Sequence, residues 1–122
     1  MKELTKAEEQ IMHVIWQYDR ISVKDILDEL PDPKPAVNTV STVVRLLEKK
    51  GFVDHQPLGR GYLYFAIVDK ENYTKSFMKK VVDKYFGNSL KEMVSFFARE
   101  NEMNINEFEE MMNEVRDEIN DK

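Results

Sequence analysis

The chain has 122 residues, 42% of them hydrophobic and 34% charged, with a formal net charge of −5. That length allows one ordinary domain or two very small ones sharing a partner, and the absence of cysteine excludes disulfides, thiolate metal sites and cysteine nucleophiles. No apolar run approaches the roughly 20 residues of a membrane span, and Met1 to Arg20 carries acids where a signal peptide needs an apolar core, so a soluble, cytoplasmic chain without membrane insertion is expected.

Leu4 to Tyr18 opens on Thr5 with Glu8 three positions on, a capping-box spacing, then sets Ile11, Met12, Ile15 and Trp16 on one face. Ile21 precedes Ser22, which has Asp25 at the capping distance. Ile26, Leu27 and Leu30 then give a short second helix that Pro31, Pro33 and Pro35 end. The prolines force the next helix to leave at a new angle. That helix, predicted within Lys34 to Lys50, sorts Ala36, Val40, Val43, Val44 and Leu47 onto one side and Asn38, Ser41, Thr42, Arg45 and Lys49 onto the other. A solvated face favours Glu, Lys and Gln, which are better helix formers than Asn, Ser and Thr. Short hydroxyl and amide side chains beside an Arg suit a surface pressed against base edges and phosphates, with Asn reading adenine and Arg reading guanine. The expectation is a DNA recognition helix; an ordinary solvent face is the alternative for these positions taken alone.

Gly51 stops this helix behind Lys49 and Lys50, whose charges suit its carbonyl end. The hydrophobic period then moves from 3.6 toward 2 through Phe52 to Gln56 and Tyr62 to Ile67, two strands flanking a Gly-containing loop. Three helices followed by a hairpin is the order of a winged helix-turn-helix, the third helix entering the major groove and the hairpin forming the wing. Arg60, between Gly59 and Gly61 at the wing tip, is placed to reach the DNA backbone or the minor groove; a solvated turn Arg is the alternative.

Val68 to Lys70 reads as a connector, and from Glu71 the chain reads as helical. Phe77, Met78, Val81, Val82 and Tyr85 line a helix that stops near Gly87. Ser89 caps a second, bearing Leu90, Met93, Val94, Phe97 and Ala98, with Phe96 on its flank. Asn104 or Asn106 caps the last, where Ile105, Phe108, Met112, Val115 and Ile119 follow 3, 4, 3, 4 spacing. So narrow a stripe cannot form a core alone, and packing against a second copy would bury it. The alternative is that it folds back onto its own winged helix. The expected fold is therefore mainly α with a small β-hairpin wing: a winged helix-turn-helix domain over residues 1–68 and a helical dimerisation domain over residues 69–122.

The charge distribution fits this division. Residues 1–68 hold nine bases against ten acids, residues 69–122 nine against thirteen, and residues 34–62 are net positive, with Lys34, Arg45, Lys49, Lys50 and Arg60 against Glu48 and Asp54. With so few phosphate contacts per subunit, tight binding would need two subunits on one site. His13 and His55 show no spacing of a metal site or catalytic pair. The acidic run from Glu107 to Glu118 lacks the ligand spacing of a calcium loop, and the four glycines form no phosphate loop or dinucleotide fingerprint. A non-enzyme without cofactor or metal is expected, and a winged helix used as a protein-protein adaptor is the competing function.

Three strings together resemble the penicillinase and methicillin-resistance repressors of the BlaI/MecI type: LTKAEEQIMHVIW as the opening helix, NTVSTVVRLLEKKGFVDH as recognition helix and first wing strand, and FGNSL as the start of the dimerisation segment. The resemblance runs from about Leu4 to the C-terminus. It implies a homodimeric repressor of an inverted-repeat operator in double-stranded DNA, controlling a β-lactam-resistance or related stress operon, with contacts at Asn38, Thr39, Ser41, Thr42 and Arg45. It also implies induction by a membrane-bound metalloprotease sensor and cleavage inside the dimerisation segment, typically at an Asn-Phe bond. By alignment that bond falls at Phe96-Phe97, with Phe96 in place of the Asn. The Cys-containing motif of the related copper-responsive repressors has no counterpart in a chain without cysteine.

Overall fold

The structure is a computed structural model that describes residues 1–121. Its elements in chain order are α1 (Lys6–Ile15), α2 (Val23–Glu29), α3 (Val37–Lys49), β1 (Val53–Leu58), β2 (Gly61–Ala66), α4 (Lys70–Tyr85), α5 (Leu90–Glu100) and α6 (Ile105–Asn120). No helix among the described residues is long and apolar enough to cross a membrane. The chain divides into two compact units, Met1–Phe77 and Met78–Lys122.

The first unit is a winged helix. Its core gathers Ile11, Met12, Val14 and Ile15 of α1, Ile26 of α2, Val40, Val44 and Leu47 of α3, and Ile21, Leu30, Phe52, Val53, Tyr64 and Tyr73 around them. β1 and β2 pair antiparallel from Val53↔Ala66 to Leu58↔Gly61, leaving Gly59 and Arg60 as a two-residue loop. Gly59 has φ 59°, the positive value favoured at the first position of such a loop. One feature the periodicity does not show is a third, single-residue strand: Ile21 and Tyr64 exchange both backbone hydrogen bonds, at 2.9 and 2.8 Å. This pair fastens the wing to the segment that starts α2.

The unit runs past the connector at residues 68–70, where the sequence reading put the domain boundary. The opening turns of α4 deliver Tyr73 into the core and Phe77 against it, the Tyr73 hydroxyl accepts the Leu4 N–H at 3.0 Å, and the Trp16 indole N–H donates to the Val68 carbonyl at 2.9 Å.

The second unit holds the remainder of α4 with α5 and α6. Ser89 accepts the Glu92 N–H and starts α5. Asn104, not Asn106, caps α6, accepting the Glu107 N–H and donating to the Glu107 carboxylate. No residue of α5 or α6 is buried.

Candidate nucleic-acid interface

α3 starts at Val37, three residues later than the Lys34 end of the predicted stretch, because the residue before each proline is held in extended backbone. Ala36 is thus an exposed N-cap and does not join the buried face. Val40, Val44 and Leu47 do, each without solvent exposure. Three such side chains, each worth roughly 1.5–3 kcal/mol of burial, fix the rotation of α3 about its axis. The opposite face has to point outward: Asn38, Thr39, Thr42, Arg45 and Lys49 are exposed and Ser41 half-buried.

The two ends of α3 differ. Its C-terminus is closed by a Schellman turn in which the Phe52 N–H bonds the Leu47 carbonyl at 2.9 Å and the Gly51 N–H the Glu48 carbonyl at 3.0 Å. Gly51 at φ 87° is the left-handed residue this turn requires. The N-terminus has no side-chain cap and no acid in its first turn, whereas Thr5, Ser22, Asp69, Ser89 and Asn104 cap the first turns of the other helices. Its leading N–H groups and positive dipole end are left for an outside acceptor.

Along the polar face, Thr42 donates to the Asn38 carbonyl at 2.8 Å and the Arg45 Nε to the Ser41 carbonyl at 3.3 Å. The Arg45 side chain therefore lies along its own helix with the end of the guanidinium facing outward. Beside it, a cleft of about 660 Å³ separates α3 from the wing, walled by Ser22 and Lys24 at the start of α2, Ser41, Arg45 and Glu48 of α3, and His55, Tyr62 and Tyr64 of the wing. Burial first, and then the Glu48 carboxylate, push the Tyr64 phenol above its ordinary pKa. His55 and Tyr62 join the site through the strand register, and Lys24 joins it from the first turn of α2; the alternation of Tyr62 and Tyr64 on one face of β2 is the sequence signal for the wing's two tyrosines.

The basic window of residues 34–62 is partly committed inside the fold. The Lys34 ammonium caps the end of α2, donating to the carbonyls of Leu27, Asp28 and Leu30 at 3.2, 3.0 and 2.6 Å. The Lys50 ammonium pairs with Glu8 at 2.6 Å. Lys49 and Arg60 make no side-chain hydrogen bond or ion pair among the described residues, and both are exposed.

In the second unit, Phe97 is 51% exposed, Val115 41% and Ile119 66%, with Phe108 and Met112 half-buried. Phe96 lies tilted against Phe86 and edge-on to Phe97, each at 5.5 Å between ring centres. The Phe96-Phe97 bond lies inside α5, and Val81, Tyr85, Phe86, Phe96 and Phe97 wall a largely apolar groove of about 550 Å³.

Comparison with known proteins gives concordant results. A family model described as Penicillinase repressor matches residues 4–117. Methicillin resistance regulatory protein MecI of Staphylococcus aureus (strain N315) is 25% identical over 112 residues, which are 91% of this chain and 91% of that protein. The penicillinase repressor of Staphylococcus aureus is 28% identical over 120 residues, covering 98% of this chain and 92% of the relative. Among solved structures, that of the DNA-binding domain of the repressor BlaI is 30% identical with a TM-score of 0.52, covering 60% of this chain and 94% of its own.

Proposed function

The chain belongs to the penicillinase repressor family, and from that premise we propose that it is a transcriptional repressor that grips an inverted-repeat operator in double-stranded DNA as a homodimer in the cytoplasm. The observation that carries this reading is α3: a polar face of Asn38, Thr39, Ser41, Thr42 and Arg45, turned outward by a buried apolar face and open at an uncapped N-terminus. In the major groove, Asn38 and Arg45 read base edges, the hydroxyls of Thr39, Ser41 and Thr42 take bases or phosphates, and Lys49 holds backbone. Arg60 reaches the flanking backbone from the wing tip.

With Lys34 and Lys50 engaged internally, one subunit offers DNA few cations. Each phosphate neutralised contributes a slope of roughly −0.9 to log K against log salt, so a single subunit binds weakly at physiological salt and two subunits on one site are required. The exposed stripe of Ile105, Val115 and Ile119 with half-buried Phe108 and Met112 supports a second copy as the partner that covers it. Pairing there sets the spacing of two recognition helices on two half-sites.

Release follows from loss of that pairing. The trigger in this reading is a membrane-bound metalloprotease sensor that leads to cleavage at Phe96-Phe97, and the output is an operon for β-lactam resistance or a related stress. A protease takes its substrate extended, so α5 has to unwind first; a helix with no buried residue opens at low cost.

The test is fluorescence anisotropy with DNA from upstream of the chain's own gene, at two salt concentrations and with random competitor. The expected result is salt-sensitive, competitor-resistant binding by two subunits per site. Weak binding equal on all sequences would replace this reading with the protein-protein adaptor.

A further inference from the structure

Glu48, Asp54 and His55 come from two elements, and their ligand atoms all lie within 4.8 Å of one another. Glu48 is on the last turn of α3; Asp54 and His55 are neighbours in β1. Successive strand residues point to opposite faces, yet the short Asp54 side chain curls back to accept the His55 backbone N–H at 2.8 Å, which brings its Oδ1 to 3.9 Å from the imidazole Nδ1. The Glu48 carboxylate meets that same Nδ1 from the helix side. Two tyrosines orient the ring. Tyr62 stands edge-on to it at 4.7 Å between centroids and Tyr64 lies tilted at 5.8 Å.

We propose that this cluster is a binding site for a zinc-like divalent cation, held by His55 Nδ1, one oxygen of Glu48 and one of Asp54, with the fourth position open to the cleft between α3 and the wing. One imidazole nitrogen and two carboxylate oxygens suit a borderline ion such as Zn²⁺. An all-oxygen cage for Mg²⁺ or Ca²⁺ and a thiolate set for Cu(I) are both absent from these three residues. Bonds of about 2.0–2.2 Å to the metal put tetrahedral ligands roughly 3.3 Å apart, so the Glu48 contact opens slightly and Asp54 closes in, movements that side-chain rotation of half-exposed and exposed residues supplies. The framework behind the ligands is fixed: the Schellman turn after Glu48 holds α3 to β1, and the Ile21–Tyr64 pair holds the wing.

Occupancy has a further consequence, which rests on the repressor reading. Glu48 lies one turn beyond Arg45, and its carboxylate and that of Asp54 in β1 repel phosphate. A bound cation cancels that charge and ties the recognition helix to the wing, so the metal-loaded form binds DNA more tightly.

The first experiment uses the full chain without DNA. Calorimetric titration with ZnCl₂ is expected to give one ion per chain. His55→Ala and Glu48→Gln are each expected to weaken binding by at least the roughly 10-fold that losing an outer-sphere partner costs, with circular dichroism reporting that both fold. His13→Ala removes the other histidine, whose neighbour Glu9 sits at 3.8 Å, and is expected to change nothing. Absence of zinc binding, or zinc binding that survives both His55→Ala and Glu48→Gln, overturns the site. In the second experiment, operator anisotropy with ZnCl₂ against EDTA is expected to show tighter binding with zinc in the wild type and no difference in His55→Ala. Zinc that binds but leaves DNA affinity unchanged overturns the coupling; a chain that binds zinc but no operator overturns the repressor reading and leaves the site standing.

Discussion

Lys50 at the C-terminal cap of α3 places its ammonium 2.6 Å from the Glu8 carboxylate at the start of α1, and the same Oε1 accepts the Thr5 N–H at 2.8 Å. One oxygen thus closes the capping box of the first helix and anchors the far end of α3, 42 positions away in the chain. The Glu8 side chain is 4% exposed and that of Lys50 25%. Removing the cation leaves a carboxylate buried with Thr5 as its remaining partner.

Lys50→Met is therefore expected to destabilise the fold by about 3 kcal/mol, the lower end of what breaking a buried pair costs, since Lys50 itself retains some contact with water. Urea unfolding of the two proteins measures it. A loss below about 0.5 kcal/mol, the scale of an ordinary surface substitution, would mean that the pair contributes little.

Glu8 also sets an acid limb on stability. Burial alone raises its pKa, but the Lys50 ammonium and the Thr5 N–H and hydroxyl outweigh this and hold the carboxyl below its ordinary value of 4.5. Between the lowered native pKa and 4.5 the unfolded chain binds more protons than the folded one, so this contribution is complete above 4.5 and disappears as pH falls through the native pKa. Glu8→Gln is expected to lower stability at neutral pH and to flatten its fall over that acid window. Thermal unfolding followed from pH 7 downward tests this, and parallel curves for the two proteins would contradict it.

Substitutions on α3 should divide by what they touch. Arg45→Ala is expected to cost about 1–3 kcal/mol of operator binding and to relax preference at one base position, the usual worth of a bidentate base contact. Lys49→Ala should weaken binding to all sequences alike and reduce the salt slope by roughly 1 per subunit. Unchanged operator affinity in a folded Arg45→Ala protein would remove it from the base-reading face.

In the second unit, Phe108→Asp or Val115→Asp is expected to yield monomers by sedimentation equilibrium, with the winged-helix core intact by near-ultraviolet circular dichroism and operator affinity strongly reduced. A monomer that binds with wild-type affinity would separate DNA reading from pairing.

The sequence by itself determined the local order of this protein. Helix spacing, the caps at Thr5, Ser22 and Ser89, the stop at Gly51 and the two-period run of the wing depend on residues a few positions apart, and the structure uses each as the pattern implies. The buried face of α3 was legible for the same reason, and with it the outward polar face, although Ala36 fell outside the helix. What tertiary structure decided is which partner each charged or aromatic side chain finds. Lys34 and Lys50 count as basic residues in the chain but serve α2 and Glu8 in the fold; Tyr73 completes a core that the connector suggested was already closed; and Glu48, Asp54 and His55 meet because a helix end and a strand are brought side by side. Periodicity records one element's own geometry, whereas a pairing across elements exists once the burial of Val40, Val44, Leu47 and Phe52 has fixed how those elements are turned.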